Sequence, residues 1–168
     1  MATRARIGIK QKSGRIIASY QHWDGYPGGL GYKLEEYWTN KDKVTKAIKL
    51  GDASTWGMFI GDTIDFDDRT ADTYDYQNVY YGRDRGEKNC GYRIYKDEAE
   101  YLLEGFKSGE DYIYLLKDIG DKDYLGKPTG TWFYAKYDNI VGFEKNLKVA
   151  VKDHIDILTR SCLKEEVA

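Results

Sequence analysis

Residues 5–10 alternate Ala5, Ile7 and Ile9 with Arg6, Gly8 and Lys10, and the turn-forming run Lys12-Ser13-Gly14 follows at once. A period of two marks a half-buried strand. With residues 15–23 returning after the turn, the pattern predicts a β-hairpin. On the returning strand Ile16, Ala18, Tyr20 and His22 share one face, while Ile17, Ser19, Gln21 and Trp23 share the other.

Beyond the hairpin the period changes. Leu30, Leu34, Tyr37 and Trp38 fall at helical spacing, as do Val44, Ala47 and Ile48 behind a cap at Thr39 or Asn40 and before Gly51. The lysines Lys43, Lys46 and Lys49 read as a solvated outer face. Residues 61–78 hold Asp62, Asp65, Asp67, Asp68, Asp72 and Asp75 with few aliphatics, which predicts a loop. Short strands are expected over 79–81 and 92–95. Asp97 with Glu100 resembles a capping box, and the helix behind it should turn Ala99, Leu102, Leu103 and Phe106 inward. Strands over 112–116 and 131–137 and a helix over 147–164, with Val151, Ile155, Leu158 and Cys162 as its stripe, complete the reading. Mixed order without βα alternation predicts an α+β domain spanning 1–168, mainly antiparallel, with three to four helices packed mostly on one face.

Composition excludes several classes. The 26 basic and 28 acidic residues nearly cancel, so general nucleic-acid binding is not expected. No apolar run approaches the ~20 residues of a membrane span. The opening Met-Ala-Thr-Arg-Ala-Arg has no apolar stretch behind it, so it does not read as a signal peptide and a cytoplasmic location is expected. Cys90 and Cys162 show no metal spacing and read as reduced thiols. With 16 Tyr the aromatic content leans towards half-wet surfaces and pockets.

The most function-like segment is 22–31, His-Trp-Asp-Gly-Tyr-Pro-Gly-Gly-Leu-Gly. His22 and Asp24, two apart on a strand end, would point the same way about 7 Å apart, an arrangement open to acid–base catalysis. Gly28, Gly29 and Gly31 allow tight backbone, and a helix beginning near Leu30 would turn free N–H groups towards a phosphate. Trp23 and Tyr26 offer faces on which a base can stack. The plain alternative is a glycine-rich turn with Trp23 in the core. A second candidate is 80–87, where Arg83 and Arg85 flank Asp84 and could clamp phosphate; the alternative there is a surface turn with self-compensating charge.

Other chemistry is poorly supplied. Counting an EF-hand loop from Asp65 places Arg69 and Thr70 where an oxygen ligand and glycine are required. With His154 the one histidine besides His22, no zinc site and no cofactor are implied. Removal of Met1 would expose Ala2, which carries no nucleophile.

The run Arg6-Ile7-Gly8-Ile9, followed by Ser19-Tyr20-Gln21-His22-Trp23-Asp24-Gly25-Tyr26-Pro27, Gly31 and Leu34, resembles a family of small proteins found in tailed phages, including cyanophages, and in some bacteria. The string at 83–87 is similar to a weaker feature of that family. The likeness covers about the first fifty residues. It implies a phage setting, hence a host-cell cytoplasm, and carries no reaction type.

The expected function is therefore a non-enzymatic binder of a small phosphate-bearing ligand of nucleotide type, sequestering a host immune signal. Its expected site comprises His22, Trp23, Asp24, Tyr26, Gly28, Gly29, Gly31, Arg83 and Arg85. The alternatives are a hydrolase or transferase using His22 and Asp24, and an interaction protein that inhibits a host protein. A homo-oligomer is compatible with all three.

Overall fold

The computed structural model describes residues 2–68, 76–137, 142–145 and 147–167. The predicted hairpin forms from β1 (Ala5–Lys10) and β2 (Ile16–Gln21), paired from Ala5↔Gln21 to Lys10↔Ile16. Gly14 closes the turn at φ +89°, a conformation that side-chain-bearing residues resist.

On the far side of β1 lies β6 (Tyr112–Lys117), in parallel, and β7 (Thr131–Lys136) follows it in antiparallel. The free edge of β2 is shared. Gln21 meets β3 (Ala53–Thr55), while 16–18 pair with β5 (Arg93–Tyr95). β4 (Val79–Tyr80) pairs with β3. The seven-stranded sheet, ordered β4-β3-β2-β1-β6-β7 with β5 also on β2, is mainly antiparallel.

Period-two alternation then sorts the two faces. Ala5, Ile7, Ile9, Ile17, Tyr114, Leu116 and Trp132 form the core of one face. Against it pack α1 (Tyr32–Tyr37), α2 (Lys41–Lys49) and the start of α5 (Leu147–Val167), through Leu34, Trp38, Val44, Ala47, Ile48, Leu147 and Val151. Asn40 caps α2, its Oδ1 accepting from the Lys43 amide at 3.0 Å.

The opposite face holds Ile16, Ala18, Tyr95, Ile113 and Leu115 under α4 (Glu98–Lys107). Asp97 caps that helix through the Glu100 amide, as the sequence predicts. Its inward stripe matches the expected one in part. Leu102 and Phe106 pack against the sheet as expected, and Tyr101 and Gly105 are buried beside them, whereas Ala99 is exposed and Leu103 is 67 % exposed. Two close approaches set this rotation. The Tyr101 ring fills the space above Gly8, and Gly105 admits Ile113, which would lie 2.3 Å from any Cβ added there.

Two other expectations are corrected and one is extended. Tyr20, Tyr26, Tyr37, Tyr81, Tyr112 and Tyr134 are half-buried, as expected of tyrosine, but Tyr80, Tyr101 and Tyr114 are fully buried, each donating its hydroxyl to a backbone carbonyl, of Ala47, Tyr114 and Gly25. Lys43 is not on a solvated face; its Nζ donates to the Tyr37 and Met58 carbonyls above the Trp38 ring. The α5 stripe ends early. Val151 is buried, but Ile155 and Leu158 stand 42 % and 51 % exposed because the helix runs past the sheet. No described helix is long and apolar enough to cross a membrane.

Candidate functional site

Strand β2 carries the chain into the loop that the sequence singles out. The His22 and Trp23 amides donate to the Ala53 and Ser54 carbonyls, continuing the edge of β3. Asp24 then turns the chain at φ +55°, within the left-handed region that aspartate tolerates better than most residues. Gly25 is buried against β1, its amide donating to the Thr3 carbonyl at 2.9 Å.

The expected anion cradle does not form. Helical structure begins at Pro27, not near Leu30, as a π-helical turn over Pro27–Gly31. That turn occupies three of the nitrogens proposed to hold a phosphate. Gly29 and Gly31 donate to the Tyr26 carbonyl and Leu30 donates to that of Asp24. Gly28 lies under the imidazole of His154, where an added Cβ would come within 2.2 Å of the ring, and the same ring stacks on Tyr26 at 4.9 Å. Gly31 faces Leu147 and Val151. Tyr26, Gly28 and Gly31 therefore seat α5, while Gly29 packs against Asp24 and the Tyr26 ring of its own loop. His154, read from sequence as an ordinary helix-face residue, is the lid on this turn.

His22, Trp23 and Asp24 remain accessible, and Trp23, 41 % exposed, is not core. The expected His22–Asp24 pair is not made. The Nδ1 of His22 hydrogen-bonds Tyr20 Oη at 2.7 Å instead, and its ring meets Trp23 edge-on at 4.7 Å. Burial, aided by the nearby Arg4 charge, holds its pKa below the ordinary value and favours the neutral ring.

The second candidate is also structural. Residues Tyr81–Arg85 form a helical turn, α3, rather than a surface turn. All five guanidinium N–H donors of Arg83 are spent: on the Ile60, Gly61 and Asn78 carbonyls and on both oxygens of Asp84. Asp84 in turn accepts from the Ile64 and Tyr80 amides. Arg85 stands over the Phe66 ring. Arg83 has no donor left for a phosphate, so Arg83→Lys should cost about 2 kcal/mol in urea denaturation without weakening ligand binding. Of the aspartate-rich segment, Asp72 and Asp75 lie outside the described residues, as do Arg69 and Thr70. Among the described residues no group of His, Cys, Asp and Glu is placed to hold a metal ion.

What the fold does assemble is a polar cleft of about 440 Å³ beside the C-terminal end of α4, lined by Arg4, Arg6, Tyr20, Asp52, Arg93, Tyr95, Glu104, Ser108 and Glu110. Arg6 and Tyr20 are register partners on β1 and β2, so both side chains fall on the α4 face. Arg6 is buried and directs Nε at 3.0 Å and Nη2 at 2.6 Å onto the same oxygen, Oε1 of Glu110, with Nη1 donating to Tyr95 Oη. Arg93 grips Asp52 with two parallel bonds of 3.0 and 3.2 Å. Asp52 also accepts from the Tyr20 amide, fixing the pair to β2.

Three electrostatic features stand out. Glu110 Oε2 is buried with no hydrogen-bond partner, an arrangement that costs about 1–3 kcal/mol unless something satisfies it. Burial pushes the Glu110 carboxyl upward in pKa while Arg6 opposes the shift. Burial likewise raises the Tyr20 phenol to about 12. Arg4, by contrast, is exposed, and its guanidinium makes no ion pair with any described residue.

The cleft touches the predicted site at one point, the Tyr20–His22 hydrogen bond, from which the rings run Tyr20, His22, Trp23 towards the loop. Sequence reasoning missed Arg4, Arg6, Asp52, Arg93, Tyr95 and Glu110. One signal was available: an arginine in the middle of Ala5-Arg6-Ile7 must find a buried partner if its face is covered. Compared with protein-family models, curated proteins and solved structures, the chain matches none of them.

Proposed function

We propose that this protein binds a small phosphate-bearing ligand of nucleotide type in the α4-face cleft, without turning it over. The observation that carries the reading is a cation with no ion pair among the described residues, Arg4, at the rim of a cleft whose other arginines, Arg6 and Arg93, are locked onto carboxylates. Such locking preorganises the walls and leaves Arg4 as the group free to meet a phosphate. The half-exposed ring of Trp23, reached through His22 and Tyr20, supplies a face for a base. Two features favour binding over catalysis. His22 gives its Nδ1 to a tyrosine rather than to a nucleophile, and that tyrosine holds its proton at neutral pH. In the phage setting that the resemblance of the first fifty residues would imply, the role we propose is sequestering a host signal.

Isothermal titration against nucleoside monophosphates, cyclic nucleotides and inorganic phosphate tests the reading. Saturable binding is expected, lost in Arg4→Glu and retained in Arg83→Lys, with ligand recovered chemically intact after denaturation. Silence across the panel would end it.

One observation favours a second reading, an interaction protein. The β6–β7 connection presents Tyr124, 95 % exposed, and Leu125 on a turn held by Asp123 Oδ1, which accepts from the Leu125 and Lys127 amides. An exposed aromatic on a rigid tip suits an interface anchor. Capture of a host protein that survives Arg4→Glu and fails in Tyr124→Ser would support it.

A further inference from the structure

Glu110 is 2 % exposed, yet one of its oxygens is left without a partner. The cause lies in how Arg6 binds it. A guanidinium usually meets a carboxylate with two parallel bonds, one to each oxygen. Here Nε and Nη2 both converge on Oε1, and the third arm is turned away to Tyr95. Both lone pairs of Oε1 are used. Oε2 keeps both of its own, buried behind the lining of the cleft to which Glu110 belongs.

A buried carboxylate oxygen with no donor calls for an explanation, since nearly all buried polar atoms in folded proteins are satisfied. We propose that Oε2 of Glu110 is a recognition point that accepts an N–H of the ligand, so that the cleft selects nucleotides whose base carries an exocyclic amine. This inference rests on the binding reading above. The geometry narrows the class further. Guanine presents two parallel N–H donors, which require two free oxygens, and Oε1 is occupied. A single amino group, as on adenine or cytosine, matches a single oxygen. A keto oxygen in the same place, as on hypoxanthine or uracil, would face the carboxylate lone pairs and be repelled.

Oε2 is closed off from water, so the amine reaches it only when a side chain lining the cleft moves aside. Arg4 is the exposed arginine of that lining, whereas Arg6 and Arg93 are held by carboxylates.

The test compares adenosine and inosine monophosphates, which differ at the amine, by isothermal titration of the full chain at neutral pH. The adenine nucleotide should bind at least about tenfold tighter, the factor a hydrogen bond to a charged group supplies. In Glu110→Gln the amide oxygen can keep Arg6 while the amide N–H₂ takes the place of Oε2, so the preference should invert. Should that variant fail to fold, the wild-type ratio alone decides. Equal binding of the two nucleotides, or tighter binding of inosine monophosphate, overturns the selection while leaving phosphate binding intact. No binding of either nucleotide or of inorganic phosphate overturns both.

Discussion

Arg6→Met is expected to destabilise the protein by about 3–5 kcal/mol, because it strands a buried carboxylate without its counter-charge. Glu110 is 2 % exposed and its one charge partner is Arg6, at 2.6 Å. Tyr95 would lose its donor at the same time. The loss should shrink on acidification. Without Arg6 the largest influence opposing burial is gone and only the weaker pull of Arg93 and of the backbone is left, so the Glu110 pKa rises further and the folded variant holds a proton that the unfolded chain has released. Folding then takes up a proton, and stability falls as pH rises from the ordinary carboxyl value of 4.5 towards the raised one. Urea denaturation between pH 5 and 8 measures this. Pairing Arg6→Met with Glu110→Leu should restore most of the stability at pH 7, since replacing both partners removes the stranded charge. An unchanged unfolding midpoint in Arg6→Met would show that the ion pair does not hold this face together.

Gly25→Ala should cost about 2–3 kcal/mol, although it adds a single methyl group. A Cβ there would lie 2.7 Å from both the Ala5 Cβ, at the start of β1, and the carbonyl oxygen of Thr3 just before it. Ala5 cannot move aside, because it is held by ladders to β2 and β6, and Thr3 lies two residues from that anchor. The shift would also strain the Gly25 amide bond to Thr3 and the hydroxyl bond from Tyr114 to the Gly25 carbonyl. Gly28→Ala makes the useful contrast. Its nearer clash, 2.2 Å, is with the side chain of His154, which can rotate away. Thermal unfolding should therefore rank Gly25→Ala as the more damaging. The reverse order would mean that the loop is held by α5 rather than by β1.

That contrast bears on how the motif at 22–31 is to be understood. Its glycines are legible in the sequence as backbone freedom, and read alone they suggest a cradle for an anion. In the fold Gly25 and Gly28 serve close packing, and Gly29 and Gly31 donate their amides to the carbonyls of their own turn. A glycine-rich turn looks the same in sequence whether its amides face a ligand or its own carbonyls. Arg83 is a parallel case. It reads as half of a phosphate clamp, and its five donors are spent on the chain around it.

The α+β class, the hairpin with the two faces of its returning strand, a cap at Thr39 or Asn40 and one at Asp97, and the stripe of Leu30, Leu34 and Trp38 follow from local chemistry and periodicity, and they were readable from the chain alone. The cleft was not. Arg6 and Glu110 stand 104 residues apart, and Asp52 and Arg93 stand 41 apart. Neither pair leaves a local pattern, and only the parallel pairing of β1 with β6 and the placing of β5 beside β2 bring the partners together. A strand's neighbours across such crossovers are chosen by the burial of the whole sheet. Tertiary structure therefore decided which charges meet, which arginine remains at the rim, and which carboxylate oxygen is left waiting for a donor.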